Sequence, residues 1–187
     1  MLIALLALVS AQAAEPSFDC DKAHSQIEHA ICGDARLGAL DREEARLYRL
    51  VLAAAPGSRA QNVARQRQFL RDRESCHDSA VDLATCLHDT YLSDITDLWL
   101  TWPVGREHAG LSAMPRRFHC DGGYPDVYLT LFELSPREAY VSVTRLNEAM
   151  ILIGDGEHYV GREDRDVVFD LPTSRLRLDA RICTPAQ

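Results

Sequence analysis

Residues 174–183 read SRLRLDARIC, and their alternation decides how the second half of the chain is understood. Leu176, Leu178, Ala180 and Ile182 fall on one side of an extended chain, and Arg175, Arg177, Asp179 and Arg181 on the other. Successive side chains of a strand point to opposite faces, so the stretch predicts one strand with a buried side and a solvated side. The same period of two runs upstream. Val127, Leu129 and Leu131 alternate with Tyr128, Thr130 and Phe132, and two short apolar runs follow at 140–143 and 149–153. Clusters of Gly, Pro and Asp separate these segments, the pattern of a small antiparallel β-barrel or sandwich over residues 118–187. Cys120 and Cys183 lie in its first and last strands. If those strands are neighbours, a bridge between the cysteines closes nearly the whole unit and contributes about 4 kcal/mol by the chain-entropy model.

Residues 16–102 have a different period. Ser25 followed by Glu28 has the form of a capping box, in which each residue satisfies the other's backbone N–H. Gly33 stops that short helix and Asp34 can cap the next, whose Leu37, Leu40, Leu47, Tyr48 and Val51 share a face until Ala55-Pro56-Gly57 interrupts it. A third helix is expected over 59–74. In the fourth, Ala84, Leu87, Tyr91, Ile95, Leu98 and Trp102 step by three and four along one stripe, and Pro103 ends it. Such stripes make a small antiparallel bundle. Cys76 and Cys86 flank the turn between the last two helices, and Cys20 and Cys32 can tie the N-terminal arm to the first, although four cysteines allow three connectivities. Residues 103–117, rich in Gly, Pro and charge, read as a linker. The fold class expected is therefore α+β: a disulfide-bridged helical unit, a linker, and a β-barrel closed by Cys120–Cys183.

Charge and leader narrow the function classes. With 28 acidic against 20 basic residues the formal net charge is −8, which disfavours nucleic acid, whose phosphates need a basic face, and suits a basic protein partner. Residues 1–13, an apolar run ending Ala11-Gln12-Ala13, have the form of an export signal cleaved after Ala13. The expected location is the periplasm, without a lipid anchor and without a membrane span, since no later segment approaches the roughly 20 apolar residues a span needs. Six remaining cysteines in an exported chain imply disulfides. No pair has the C-x-x-C spacing of zinc or redox sites.

Catalytic and metal patterns are sparse. Gly110-Leu111-Ser112-Ala113-Met114 lacks the final glycine of a nucleophile elbow and lies in the linker. The histidines, among them His24, His29, His77, His88, His119 and His158, have no zinc spacing and read as scattered surface residues. Residues 155–166 fail as a calcium loop because Val160 stands where the sharp turn needs glycine. Glu43 and Glu44 read as an exposed pair serving Arg46 and Arg49 one turn away. Trp99 and Trp102 read as core, or as a seam against the barrel. Neither enzymatic activity nor a cofactor or metal is expected.

Two resemblances add to this. FDCDKAHSQIEHAICGDARLGALDREEARLY, with RQRQFLRDRESC and TCLHDTYLSDITDL, resembles the LprI-type N-terminal domain over residues 18–98; that family consists of small cysteine-bridged helical modules of exported bacterial proteins. FHCDGG, AYVSV, DGEHY and the closing Cys183 are similar to the MliC family of C-type lysozyme inhibitors over residues 118–183. In that family a Ser-Gly-x-x-Tyr loop and a later Trp-x-Lys-Gly segment enter the lysozyme cleft. The resemblance places Gly156 and Tyr159 on the loop pattern, with Asp155 at the serine position and Phe169-Asp170-Leu171-Pro172 in place of the lysine segment.

The resulting expectation is an inhibitor of lysozyme-like muramidases that uses an acidic, Gly-hinged loop at about 154–170. Asp155, Gly156, Glu157, Tyr159, Arg162, Glu163 and Arg165 are the candidate contacts. Glu157, Glu163, Asp164 and Asp166 would attract a basic C-type lysozyme, and Arg162 or Arg165 would replace the missing cation toward its carboxylates. The alternative is an interaction module without inhibitory action, such as an immunity protein against a wall-degrading toxin, in which the helical half makes the contact.

Overall fold

The computed structural model describes residues 15–102, 110–163 and 166–186. The expected export signal, residues 103–109 of the linker, and the candidates Asp164 and Arg165 lie outside the described residues.

Four helices form the N-terminal part: α1 (Gln26–Gly33), α2 (Ala35–Ala54), α3 (Arg59–Ser75) and α4 (Leu83–Thr101). The starts of α1, α2 and α4 are set by side chains that accept from otherwise unpartnered first-turn N–H groups. Ser25 Oγ accepts from Glu28 N at 3.0 Å and Glu28 Oε2 accepts from Ser25 N at 3.0 Å, completing the capping box. Asp34 accepts from the N–H groups of Arg36 and Leu37, and Asp82 from that of Thr85. Disulfides Cys20–Cys32 and Cys76–Cys86 are both formed. The apolar stripes of α1, α2 and α4 meet in a core of Ile27, Ile31, Leu37, Leu40, Leu47, Leu87, Tyr91 and Ile95. Helix α3 contributes little to it, with Asn62 and Phe69 its buried residues. Polar contacts attach it instead: Arg65 to Asp94 at 2.7 Å and Arg73 to Tyr91 Oη at 3.3 Å, beside the edge-on stack of Phe69 with Tyr91.

Eight antiparallel strands follow: β1 (Arg116–Cys120), β2 (Val127–Phe132), β3 (Arg137–Val143), β4 (Glu148–Gly154), β5 (His158–Gly161), β6 (Val167–Asp170), β7 (Arg175–Leu178) and β8 (Arg181–Pro185). They close in sequence order into a barrel, β1 pairing with β8. Cys120 and Cys183 are cross-strand partners and form the third disulfide. Phe118, Leu129, Val141, Leu152, Tyr159, Phe169 and Leu176 fill the interior.

The structure corrects the reading of 174–183. The stretch is a hairpin, β7 and β8 joined at Asp179-Ala180, with Asp179 at φ +53. An aspartate tolerates this left-handed conformation better than most residues, and the two turn residues reset the alternation. Leu176 therefore faces Cys183 inside, whereas Ile182 pairs with Arg177 and lies 39 % exposed outside. Part of the expected linker is structured too. Ala113 N donates to Leu131 O at 3.0 Å and Glu133 N to Leu111 O at 2.8 Å, so residues 111–113 extend the sheet beside β2.

The two halves share one core. Phe132, Leu134, Tyr140 and Ile151, on the outside of the barrel, belong to the same apolar cluster as the helices. Helix α4 is the seam, because its second stripe of His88, Leu92, Thr96 and Trp99 is buried as well as its first. Thr96 Oγ1 meets Thr130 Oγ1 at 2.9 Å across it.

Candidate functional site

The stretch 154–170 is not one loop. Residues 155–157 turn between β4 and β5 at one end of the barrel, and Arg162 and Glu163 follow β5 at the other. Four residues of β5 separate them, about 13 Å at the rise of an extended chain. Asp155, Gly156 and Glu157 therefore cannot form a single tip with Arg162 and Glu163.

At the first end the turn is stiff and open. Asp155 Oδ1 accepts from Glu157 N and His158 N, both at 2.9 Å, and these two N–H groups hold its carboxyl below the usual aspartate range. Gly156 has φ +107, a conformation closed to most L residues, and the Arg137 guanidinium lies where a Cβ would project. Leu171 N donates to Glu157 O at 2.8 Å, tying the turn to the one between β6 and β7. Asp155 and Glu157 remain exposed. Tyr159, the resemblance's loop tyrosine, instead points inward: it is 2 % exposed and packs against Phe169 at 5.9 Å between ring centroids. It acts as barrel core, since β5 alternation places Tyr159 inside and Val160 outside.

At the other end Arg162 is already engaged. Its Nη1 and Nη2 donate to Asp89 Oδ1 and Oδ2 of α4 at 2.9 and 2.7 Å. Glu163 is exposed, and Asp166 pairs with Arg177. Arg162, one of the two cations assigned to an enzyme's carboxylates, is thus occupied within the protein by a carboxylate of its own, and the other, Arg165, lies outside the described residues.

Sequence reasoning missed the charged chain on the seam. Glu138, on the outer face of β3, is 0 % exposed and is contacted by the Arg36 guanidinium of α2. His88 Nε2 lies 2.8 Å from Glu138 Oε2, and His88 Nδ1 lies 3.0 Å from Asp89 Oδ1. Burial opposes charge on the imidazole, but the two carboxylates outweigh it and raise the His88 pKa above its ordinary value. Arg36, Glu138, His88, Asp89 and Arg162 thus meet along the junction of helices and barrel, Arg36 Nη2 also lying 3.0 Å from His88 Nε2, beside a pocket of about 230 Å³. His88 departs from the scattered-surface reading, being 6 % exposed. The one available signal was positional: it starts the polar-interrupted second stripe of α4.

Glu43 and Glu44 are likewise interior, at 4 % and 3 % exposed, rather than on a solvated face. Glu43 Oε1 accepts from Ser112 N at 3.0 Å and from Ser112 Oγ at 2.5 Å, while Trp99 Nε1 donates to Ser112 Oγ at 2.9 Å. The serine of the apparent nucleophile elbow is therefore a strut between α2, α4 and β2. Glu44 has no such partner for Oε1; burial, then the Asp94 carboxylate, raise its pKa to about 8.

Among the described residues no group of three or more His, Cys, Asp and Glu is placed to hold a metal ion, and no helix is long and apolar enough to cross a membrane. Comparison of the chain with protein-family models, with curated proteins and with solved structures found no match in any of the three.

Proposed function

We propose that the protein is an exported inhibitor of lysozyme-like muramidases that meets its enzyme through the β4–β5 turn. The observation carrying this reading is the turn's preorganised negative charge: Asp155 is fixed by two backbone N–H groups and stands with Glu157 in solvent. A rigid anionic projection on a chain of net charge −8 attracts a basic enzyme and loses little entropy on docking. Three disulfides suit an exported protein. The enzyme class comes from the resemblance of the barrel half to MliC inhibitors. Contact rests on Asp155 and Glu157, since Tyr159 is interior and Arg162 is paired.

The test is titration of the mature chain against chicken-type, goose-type and phage-type muramidases. Inhibition near equimolar ratio, weakened by salt and by the double variant Asp155→Asn/Glu157→Gln, is expected. Full lysis by every enzyme at excess protein would overturn the proposal.

A second reading, the module whose helical half makes the contact, is favoured by a groove between α3 and α4 lined by Asp72, Asp89, Asp94 and Asp97. Under it, a basic partner binds the double variant undiminished and loses affinity for Asp72→Asn/Asp97→Asn.

A further inference from the structure

Helix α3 fits the helical half poorly. Over its 17 residues it buries Asn62 and Phe69, and its contact with α2 and α4 is polar and badly matched. Asn62 Oδ1 and Nδ2, Arg65 Nη1, Gln66 Oε1 and Arg73 Nε are withdrawn from solvent with no hydrogen-bond partner among the described residues. On the facing side the same holds for Glu44 Oε1 of α2 and Asp94 Oδ2 of α4. Asn62, at 1 % exposed, satisfies neither end of its amide. An interface that withdraws polar atoms without pairing them gains neither protein hydrogen bonds nor apolar burial, and so holds weakly.

What does hold α3 is unevenly spread along it. Toward its C-terminal end Phe69 stacks edge-on against Tyr91, and Arg73 Nη1 reaches Tyr91 Oη at 3.3 Å. Cys76, directly after the helix, is bonded to Cys86 of α4. The N-terminal half is fastened by Arg65, whose Nη2 donates to Asp94 Oδ1 at 2.7 Å and to Asp94 O at 3.0 Å. Its guanidinium also lies 5.8 Å from the Trp102 ring centre. This ion pair is one-pronged, since Arg65 Nη1 and Asp94 Oδ2 stay unpaired. The start of α3 has no side-chain cap at Ser58, unlike the starts of the other three helices.

We propose that α3 is a hinged cover: residues 59–68 lift from the α2–α4 face with Arg65 as the latch, while the Cys76–Cys86 bridge pins the other end. None of residues 59–68 belongs to the apolar core that joins α1, α2, α4 and the outside of the barrel, so the rest of the fold stays closed when they leave. A detached segment this short is not stably helical in water, and opening is therefore read at its own amides. Lifting the cover uncovers carboxyls. Glu44 and Asp94 have pKa values raised to about 8 and about 7, first by burial in each case. Returned to water beside the exposed Asp97, they ionise readily and give α2 and α4 an acidic face that the closed cover hides.

The experiment is amide hydrogen exchange of the intact, oxidised chain at about pH 7, corrected for intrinsic rates. Expected is exchange about thirtyfold faster or more in residues 62–68 than in the middle of α2 and α4, with protection rising along α3 toward Ser75. Arg65→Gln is expected to speed exchange in 62–68 roughly tenfold further and to leave α2 and the barrel strands as they were. Protection of 62–68 equal to that of α2 and α4 overturns the proposal, as does a loss that is uniform along α3 to Ser75. Both are read on the unaltered protein, so they stand even if Arg65→Gln does not fold. An Arg65→Gln effect spread equally over all four helices overturns it too, because the arginine is then a general support and not a latch.

Discussion

Arg162 and Asp89, 73 residues apart in sequence, form a two-pronged ion pair at 2.9 and 2.7 Å that joins the end of β5 to α4. The pair is partly solvated, with side-chain exposures of 31 % and 38 %. Solvent screening limits such a pair to about 1 kcal/mol or less. Arg162→Ala is therefore expected to lower stability by no more than that in chemical denaturation. Affinity for a muramidase is expected to stay unchanged, in contrast to the role that the sequence alone suggests for this arginine.

Ser112 is expected to matter more than any surface charge. Its hydroxyl accepts from Trp99 Nε1 and donates to Glu43 Oε1, all three groups being buried. Ser112→Ala leaves an indole N–H without an acceptor and removes one donor from Glu43. A loss of about 2 kcal/mol is expected, visible as a lower denaturation midpoint and a shift in Trp99 fluorescence.

Glu44 makes stability depend on pH. Its folded pKa of about 8 lies above the unbound carboxyl value of 4.5, so the protonated form is favoured by folding. The contribution is complete below about pH 4.5 and is lost as pH rises through about 8. Glu44→Gln keeps the shape without the charge. At pH 8 and above it should be more stable than the parent by on the order of 2 kcal/mol, and nearly equal to it in acid. A stability difference that does not change with pH would remove Glu44 as the titrating group.

The bridge between Cys120 and Cys183 spans a sequence separation of 63. Replacing both cysteines by alanine should destabilise the protein by about 4 kcal/mol. The lost protection should concentrate in β1 and β8, whose pairing the bridge covers, while the α1 capping box and the helical disulfides persist. Thermal melting of the double variant beside the parent measures the first effect, and hydrogen exchange the second.

Much of the local structure was legible in the residues. Ser25 with Glu28, Asp34 and the stripe from Leu87 to Trp102 specify helix ends and a buried face, because caps and helical periodicity depend on residues within a turn or two of one another. The cysteine spacings pointed to the bridges that form. The hairpin at Asp179-Ala180 was hidden because Ala180 in the turn and the outward-facing Ile182 are both apolar, so the sequence alternation runs on although the turn inverts which positions face inward. Tyr159 was misassigned for a related reason: membership of a loop pattern says nothing about the pleat, and the pleat turns that ring inward.

By itself the sequence determined an α+β chain, a helical unit bridged by two disulfides and followed by a barrel closed by a third. Only the tertiary structure decided that the two units share a core, that residues 155–157 and 162–163 sit at opposite barrel ends, and that Arg36, His88 and Glu138 meet. Arg36 and Glu138 are separated by 102 residues. Charges so distant in sequence have no shared period or cap to announce them. Their pairing exists because the outer face of β3 is withdrawn from water by α4, which makes an unmatched carboxylate there too costly to leave alone.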